Sequence, residues 1–158
     1  VGVGSMSKAF SLAGLRLGWV VAPREVREPV SRHRDYSVIS VGRVDDLLAA
    51  IALEAGEAML ARNRRIVRRN LAILDAWVTG EPLIDYVRPD SGTTALLRYA
   101  ADIPSESLCV RLLEAEGVML TPGSAMDMEG YLRIGYANEA AVLRAGLERF
   151  TAFLATLA

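Results

Sequence analysis

Residues 43–78 constrain the fold most. Val44, Leu47, Leu48, Ile51, Ala52, Ala55 and Met59 recur at three- and four-residue spacing, and Ile66, Ile73, Leu74 and Trp77 resume the stripe. That period predicts an amphipathic helix. No proline interrupts the pattern, although Gly56 and Asn63 are points at which it could divide. Thr79-Gly80-Glu81-Pro82 stops it, as glycine and proline do after a helix.

The segments on either side differ. Before the helix, residues 1–11 (VGVGSMSKAFS) predict a strand end running into a tight loop, and residues 17–22 (LGWVVA, closed by Pro23) a short buried strand. Residues 24–34 predict a charged helix containing Pro29, and residues 35–42 an extended connection. After the helix come a strand over 83–87, a turn over 88–92 and a strand over 93–99. A helix over 105–116 follows Pro104 with Ser105 as its cap, then a strand over 118–121, a loop over 122–130 and a strand over 131–136. Asn138 caps a closing helix that ends near residue 157. Strand–strand–helix–strand–strand–helix predicts a small α/β or α+β domain, tied to a larger one by the long helix.

Composition excludes several classes. The 158 residues are 52% hydrophobic and 23% charged, which suits a packed core. Eighteen Lys and Arg against nineteen Asp and Glu leave a net charge of −1, so no general basic footprint points to nucleic acid. One cysteine, Cys109, excludes an internal disulfide framework, and one histidine, His33, excludes a clustered Cys/His zinc site. Arg16 and Glu54 break the two apolar stretches that approach a membrane span, and no signal peptide is evident. The run Arg62 to Arg69 reads as a solvated helix face.

Chemistry concentrates in Ser5-Met6-Ser7-Lys8-Ala9-Phe10, continued by Gly14, Arg16, Gly18 and Trp19. Lys8 lies between apolar Met6 and Phe10, a setting expected to desolvate the ammonium and free the amine for Schiff-base formation. Ser5, Ser7 and Arg16 supply hydroxyls and a guanidinium, the donor set a phosphate monoester takes. Gly14 and Gly18 allow close backbone approach. A Schiff-base lysine with a phosphate grip describes a site for pyridoxal 5′-phosphate (PLP). From the residues alone, a solvated surface loop with an ordinary Lys and Arg stands beside that reading.

The segment closely resembles the Ser-x-Ser-Lys-x-Phe-x-x-x-Gly-x-Arg-x-Gly-Trp signature of class I/II aminotransferases, the aspartate-aminotransferase-like group of fold-type I PLP enzymes, and it matches every fixed position. The resemblance implies that Lys8 forms the internal aldimine and shuttles the substrate proton, that Ser5 and Arg16 bind the phosphate, and that Ser7 contributes to the cofactor site. Phe10 and Trp19 are expected to pack the loop.

A second candidate is Arg133, alternating with Leu132 and Ile134 in a strand that follows the loop Pro122-Gly123-Ser124-Ala125-Met126. A buried or half-buried arginine there needs a carboxylate partner, which could be a structural Asp or Glu or a ligand. The stretch Leu132-Arg133-Ile134-Gly135-Tyr136-Ala137 again resembles the family's C-terminal pattern, which implies that Arg133 binds the substrate α-carboxylate.

The resemblance covers essentially the whole chain. It implies an α/β fold with the end of a large cofactor-binding domain over 1–42, a connecting helix over 43–79 and a small domain over 80–158. It further implies amino acid and 2-oxo acid substrates, a homodimer in the cytoplasm, and no metal, nucleic acid or membrane partner. Family partners of the pyridine nitrogen, ring face and 3′-oxygen lie N-terminal to the lysine, where this chain has fewer than ten residues. The chain is therefore expected to be the C-terminal part of a longer enzyme and inactive alone. Other readings are a lyase, synthase or cyclase of the same fold, and the aminotransferase-like sensor domain of a transcription regulator.

Overall fold

The computed structural model describes residues 1–157. They form two compact units, one of residues Val1–Arg64 and the other from Arg65 onward.

The first unit opens with strand β1 (Gly2–Ser5), which pairs antiparallel with β2 (Gly18–Val21) as a two-stranded ribbon. Pairing runs from Gly2 opposite Val21 to Ser5 opposite Gly18. A 3-10 turn, Ala13–Leu15, sits in the connecting loop. Helices α1 (Arg24–Arg34) and α2 (Arg43–Glu54) follow. The expected burial of 17–22 is not found, because all four residues of β2 are exposed. Within the described residues only β1 pairs with it, and no second layer covers its valines.

The helix expected over 43–78 is two helices. Ala55 ends α2, and α3 (Gly56–Gly80) starts at the next residue. Glycine has poor helix propensity, and its position matches one of the two predicted breaks. The division into compact units falls inside α3, between Arg64 and Arg65.

The second unit adds β3 (Ile84–Tyr86), β4 (Thr94–Tyr99), α4 (Ser105–Glu116), β5 (Thr121–Pro122), β6 (Tyr131–Gly135) and α5 (Ala140–Leu154). Its four strands make an antiparallel sheet in the order β3-β4-β6-β5. Side chains alternate across a strand. Ala95, Leu97 and Tyr99 of β4 and Leu132 and Ile134 of β6 are therefore buried together. Leu74 of α3, Leu108 and Leu112 of α4, and Leu147, Phe150 and Leu154 of α5 close over them. Each such side chain contributes about 1.5–3 kcal/mol when taken fully from water.

Two expected caps differ. Ser105 is the first residue inside α4 and Pro104 precedes it, so the Ser105 hydroxyl is free to act elsewhere. Glu139, rather than Asn138, occupies the cap position of α5, and neither helix has a side-chain cap bond. Among the described residues no helix is long and apolar enough to cross a membrane, and no cluster of His, Cys, Asp and Glu could hold a metal.

Candidate functional site

In the first unit the ribbon gathers four of the five predicted site residues at one end. Ser5 closes the β1–β2 pairing, and the Met6 N–H donates to the Leu17 carbonyl at 3.0 Å, so the chain at Arg16 and Leu17 runs beside Ser5 and Met6. The register requires glycine at position 18, where a Cβ would lie 2.6 Å from the Gly4 carbonyl. Gly14 has open space around it and carries no such constraint.

The lysine loop is closed by its own backbone. Leu12 N–H donates to the Met6 carbonyl and Ser11 N–H to the Lys8 carbonyl, both at 3.0 Å. Ser11 takes the left-handed conformation at φ 57 to complete that turn. Met6 anchors the loop from below. It is fully buried and packs with Ala49 and Ala52 of α2, with Phe10, Leu12, Leu15, Leu17 and Met59 around them. One side-chain bond reaches the loop from far along the sequence, where Asn63 Nδ2 donates to the Ala9 carbonyl at 2.8 Å.

Lys8 is exposed, so the desolvated lysine expected from its apolar neighbours is not found. Met6 takes the buried position and Lys8, two residues on, stands at the surface. Ser5 Oγ accepts the Ser7 N–H at 3.1 Å, which leaves its own proton available to a ligand. Arg16 has φ 50 at the end of the 3-10 turn, and its Nη1 donates to the Ala13 carbonyl at 2.9 Å. Among the described residues no carboxylate lies within ion-pair distance of Arg16. Left-handed non-glycine residues are costly and gather at ligand sites. Arg16 also lines an open cleft of about 770 Å³ with Trp19, Arg34 and Ser40, a cleft whose walls do not include Lys8.

The second unit presents Arg133. It lies mid-strand in β6, opposite Leu96 on one side and Thr121 on the other. Its neighbours Leu132 and Ile134 are buried while Arg133 itself is exposed, unlike the buried or half-buried arginine expected. The Thr121 hydroxyl accepts from Nη2 at 3.1 Å, and among the described residues no carboxylate pairs with the guanidinium.

The strand is held at both ends. On its N-terminal side the Ser105 N–H donates to Glu129 Oε1 at 2.6 Å and the Ser105 hydroxyl to Oε2 at 2.9 Å. The Tyr99 hydroxyl contacts the same carboxylate at 3.2 Å. The Ser105 backbone, then its hydroxyl, hold the Glu129 carboxyl below its ordinary value of 4.5. Burial first, then the Glu129 charge, push Tyr99 up to about 12. The preceding loop requires glycine at 123, because a Cβ there would collide with the Met128 and Tyr131 carbonyls. On the C-terminal side fully buried Asn70 donates through Nδ2 to the carbonyls of Tyr136 at 2.8 Å and Asn138 at 2.6 Å. The Tyr136 hydroxyl donates to the Gly92 carbonyl at 2.9 Å.

From the sequence Asn63 reads only as a possible break in the helix, and the hydrogen bonds of Asn63, Asn70 and Glu129 are not anticipated. A signal for the asparagines existed: positions 63 and 70 continue the apolar stripe of Met59, Ile66, Ile73 and Trp77, and a polar residue at a core position needs a hydrogen-bond partner. Glu129 carried no such signal.

This donor set fits a phosphorylated aldehyde. Hydroxyls and a guanidinium suit a phosphate dianion, and a lysine amine lies three residues from the first of them. Comparison with known proteins shows the family. The sequence profile of aminotransferase class I and II matches residues 1–150, and the chain belongs to that family. It is 33% identical to capreomycidine synthase of Streptomyces vinaceus over 154 residues, covering 97% of this chain and 40% of that protein. Aspartate aminotransferase of Thermotoga maritima is 26% identical over 152 residues, with 96% and 39% covered. A PLP-dependent aminotransferase structure from Streptococcus suis superposes with a TM-score of 0.96 at 43% identity, over 99% of this chain and 42% of that one. The PLP-dependent cyclase OrfR superposes at 0.92 with 31% identity, over 99% and 43%. The chain thus spans about 40% of the length of the curated relatives it matches.

Proposed function

We propose that the chain is the C-terminal part of a PLP-dependent aminotransferase that exchanges an amino group between an L-amino acid and a 2-oxo acid. In this reading residues 1–42 end the cofactor-binding domain, 43–79 connect, and 80–158 form the small domain of a cytoplasmic homodimer. The observation that carries it is the complete Ser5-to-Trp19 signature, supported by a ribbon end at which the backbone at Arg16 and Leu17 runs beside Ser5 and Met6.

Bound PLP supplies an electron sink that acidifies the substrate Cα. Lys8 would be the amine that holds the cofactor through its aldehyde group and, when freed from it, the base that carries the substrate Cα proton. The Ser5 hydroxyl and the Arg16 guanidinium would hold the phosphate, with Ser7 contributing to the same cofactor site. Arg133 binds the substrate carboxylate through two parallel N–H···O contacts, which orients the Cα–H. The partners of the ring nitrogen are assigned to the part of the enzyme outside this chain, so the 158 residues alone are expected to be inactive.

Lys8→Ala in the complete enzyme tests this. Borohydride-stable cofactor attachment should vanish, and turnover should fall by at least about 10²–10⁴-fold. Unchanged attachment in the variant would remove Lys8 from its role. A second reading, PLP chemistry that cyclises or eliminates, is favoured by the similarity to capreomycidine synthase and OrfR. Pyridoxamine phosphate accumulating with an amino acid substrate separates the two, since only transamination leaves the nitrogen on the cofactor.

A further inference from the structure

We infer that Asn63 is a positioning residue for Lys8, setting through the Ala9 carbonyl where the lysine amine stands; this rests on the reading of Lys8 as the cofactor-bonding lysine.

The turn Lys8 to Ser11 is closed by a single backbone bond, from Ser11 N–H to the Lys8 carbonyl. That bond leaves the Ala9 carbonyl without a partner inside the turn. Asn63, only 8% exposed, supplies one at 2.8 Å from 54 positions away. Its own carbonyl oxygen accepts from Arg62 Nη1 at 3.1 Å, which fixes the amide with its NH₂ toward the loop. Asparagine is a poor helix former and a costly residue to bury, and inside α3 it spends both polar ends on these two contacts.

Other supports of the loop act elsewhere. Met6 fixes the ascending side by packing, and Leu12 N–H to the Met6 carbonyl closes its base. Neither reaches the Ala9 carbonyl, one residue beyond Lys8. Phe10 packs partly buried against the cluster of Met6, Ala49 and Ala52, a contact without directional content. The Asn63 bond is therefore the directional contact from a regular element onto the segment carrying the amine. The bond fixes the Ala9–Phe10 peptide, one residue beyond Lys8, so a rotation there is passed back through Ala9 to the Lys8 backbone and swings a long side chain. Misplacement by about 1 Å can cost of order 100-fold in a positioned reaction.

The test uses the complete enzyme as apoprotein with added PLP. Asn63→Leu keeps the γ-branching and removes the donor; Asn63→Asp keeps both size and shape and removes it. The readouts are the rate of borohydride-trappable attachment at Lys8 and the melting temperature. Attachment about tenfold slower or more, in a variant that melts within a few degrees of the parent, is the expected result. Wild-type attachment by a folded variant overturns the inference and leaves the reading of Lys8 intact. If neither variant folds, or attachment slows only in step with lost stability, Asn63 is a structural residue and the inference falls. Cofactor still trapped in Lys8→Ala would instead sink the reading of Lys8 itself.

Discussion

The two units hold their candidate residues in different ways. Arg133 projects from a strand whose flanking side chains lie in a core of nineteen buried residues. The lysine loop stands over a cluster of three, Met6, Ala49 and Ala52. Around that small cluster the first unit leaves Val3, Val21, Val38, Ile39, Val44 and Leu47 each more than 60% exposed. Burial determines the energy available to hold a backbone in place. Within the described residues the arginine is thus supported by packing, while the lysine is supported by a few directed contacts, among them the Asn63 bond.

Removing a core aromatic should break this contrast first if it is wrong. Phe150→Ala should destabilise the second unit by about 3–5 kcal/mol, whereas Met6→Ala, in a small cluster with partly buried neighbours that can relax into the gap, should fall at or below the low end of about 2–5 kcal/mol. Hydrogen exchange reads the same difference, with β4 and β6 amides exchanging only through global unfolding and β1 and β2 amides by local opening. Equal protection in both sheets would overturn it.

A smaller effect separates binding from stability inside the second unit. Arg133→Leu removes an exposed guanidinium, so its melting temperature should stay near that of the parent. The Michaelis constant for the amino acid should rise about 10–150-fold, the value of about 1.5–3 kcal/mol for a hydrogen-bonded charge. A melting shift without a change in substrate binding would make Arg133 structural.

The smallest effect is expected in acid. Glu129 has a folded-state value below the ordinary 4.5, so folding favours its ionised form. The stability it contributes is complete above the unfolded value and is lost as pH falls through the lower folded one. Glu129→Gln should therefore flatten the acid limb of the melting-temperature profile between pH 5 and 3, relative to the parent. Parallel profiles would show that the Ser105 contacts carry no linked proton.

Much of this was legible in the sequence. The period of residues 43–78, the glycine at 56 and the alternation around Leu132 and Ile134 give helices α2 and α3 and strand β6, because local patterning and burial agree there. The lysine signature was legible as a motif. Its environment was not: apolar neighbours predict a buried Lys8 only if their side chains share its direction, and Met6 points into the core while Lys8 does not. The exposure of β2 was illegible for a related reason, since a run of valines records an affinity for burial without recording what covers it. Ser105 shows a third limit. Its hydroxyl suits a cap, yet Glu129, distant in sequence, bonds it instead, and no local rule ranks those two partners.

Stitched by Asn70 at one end and Glu129 at the other, β6 behaves as a fixed datum from which the guanidinium is measured out. Variation in what such a scaffold accepts would then be written in the surface neighbours of Arg133, Thr121 foremost, rather than in the strand. An engineer wishing to retune selectivity should redraw that perimeter and leave the ruler alone.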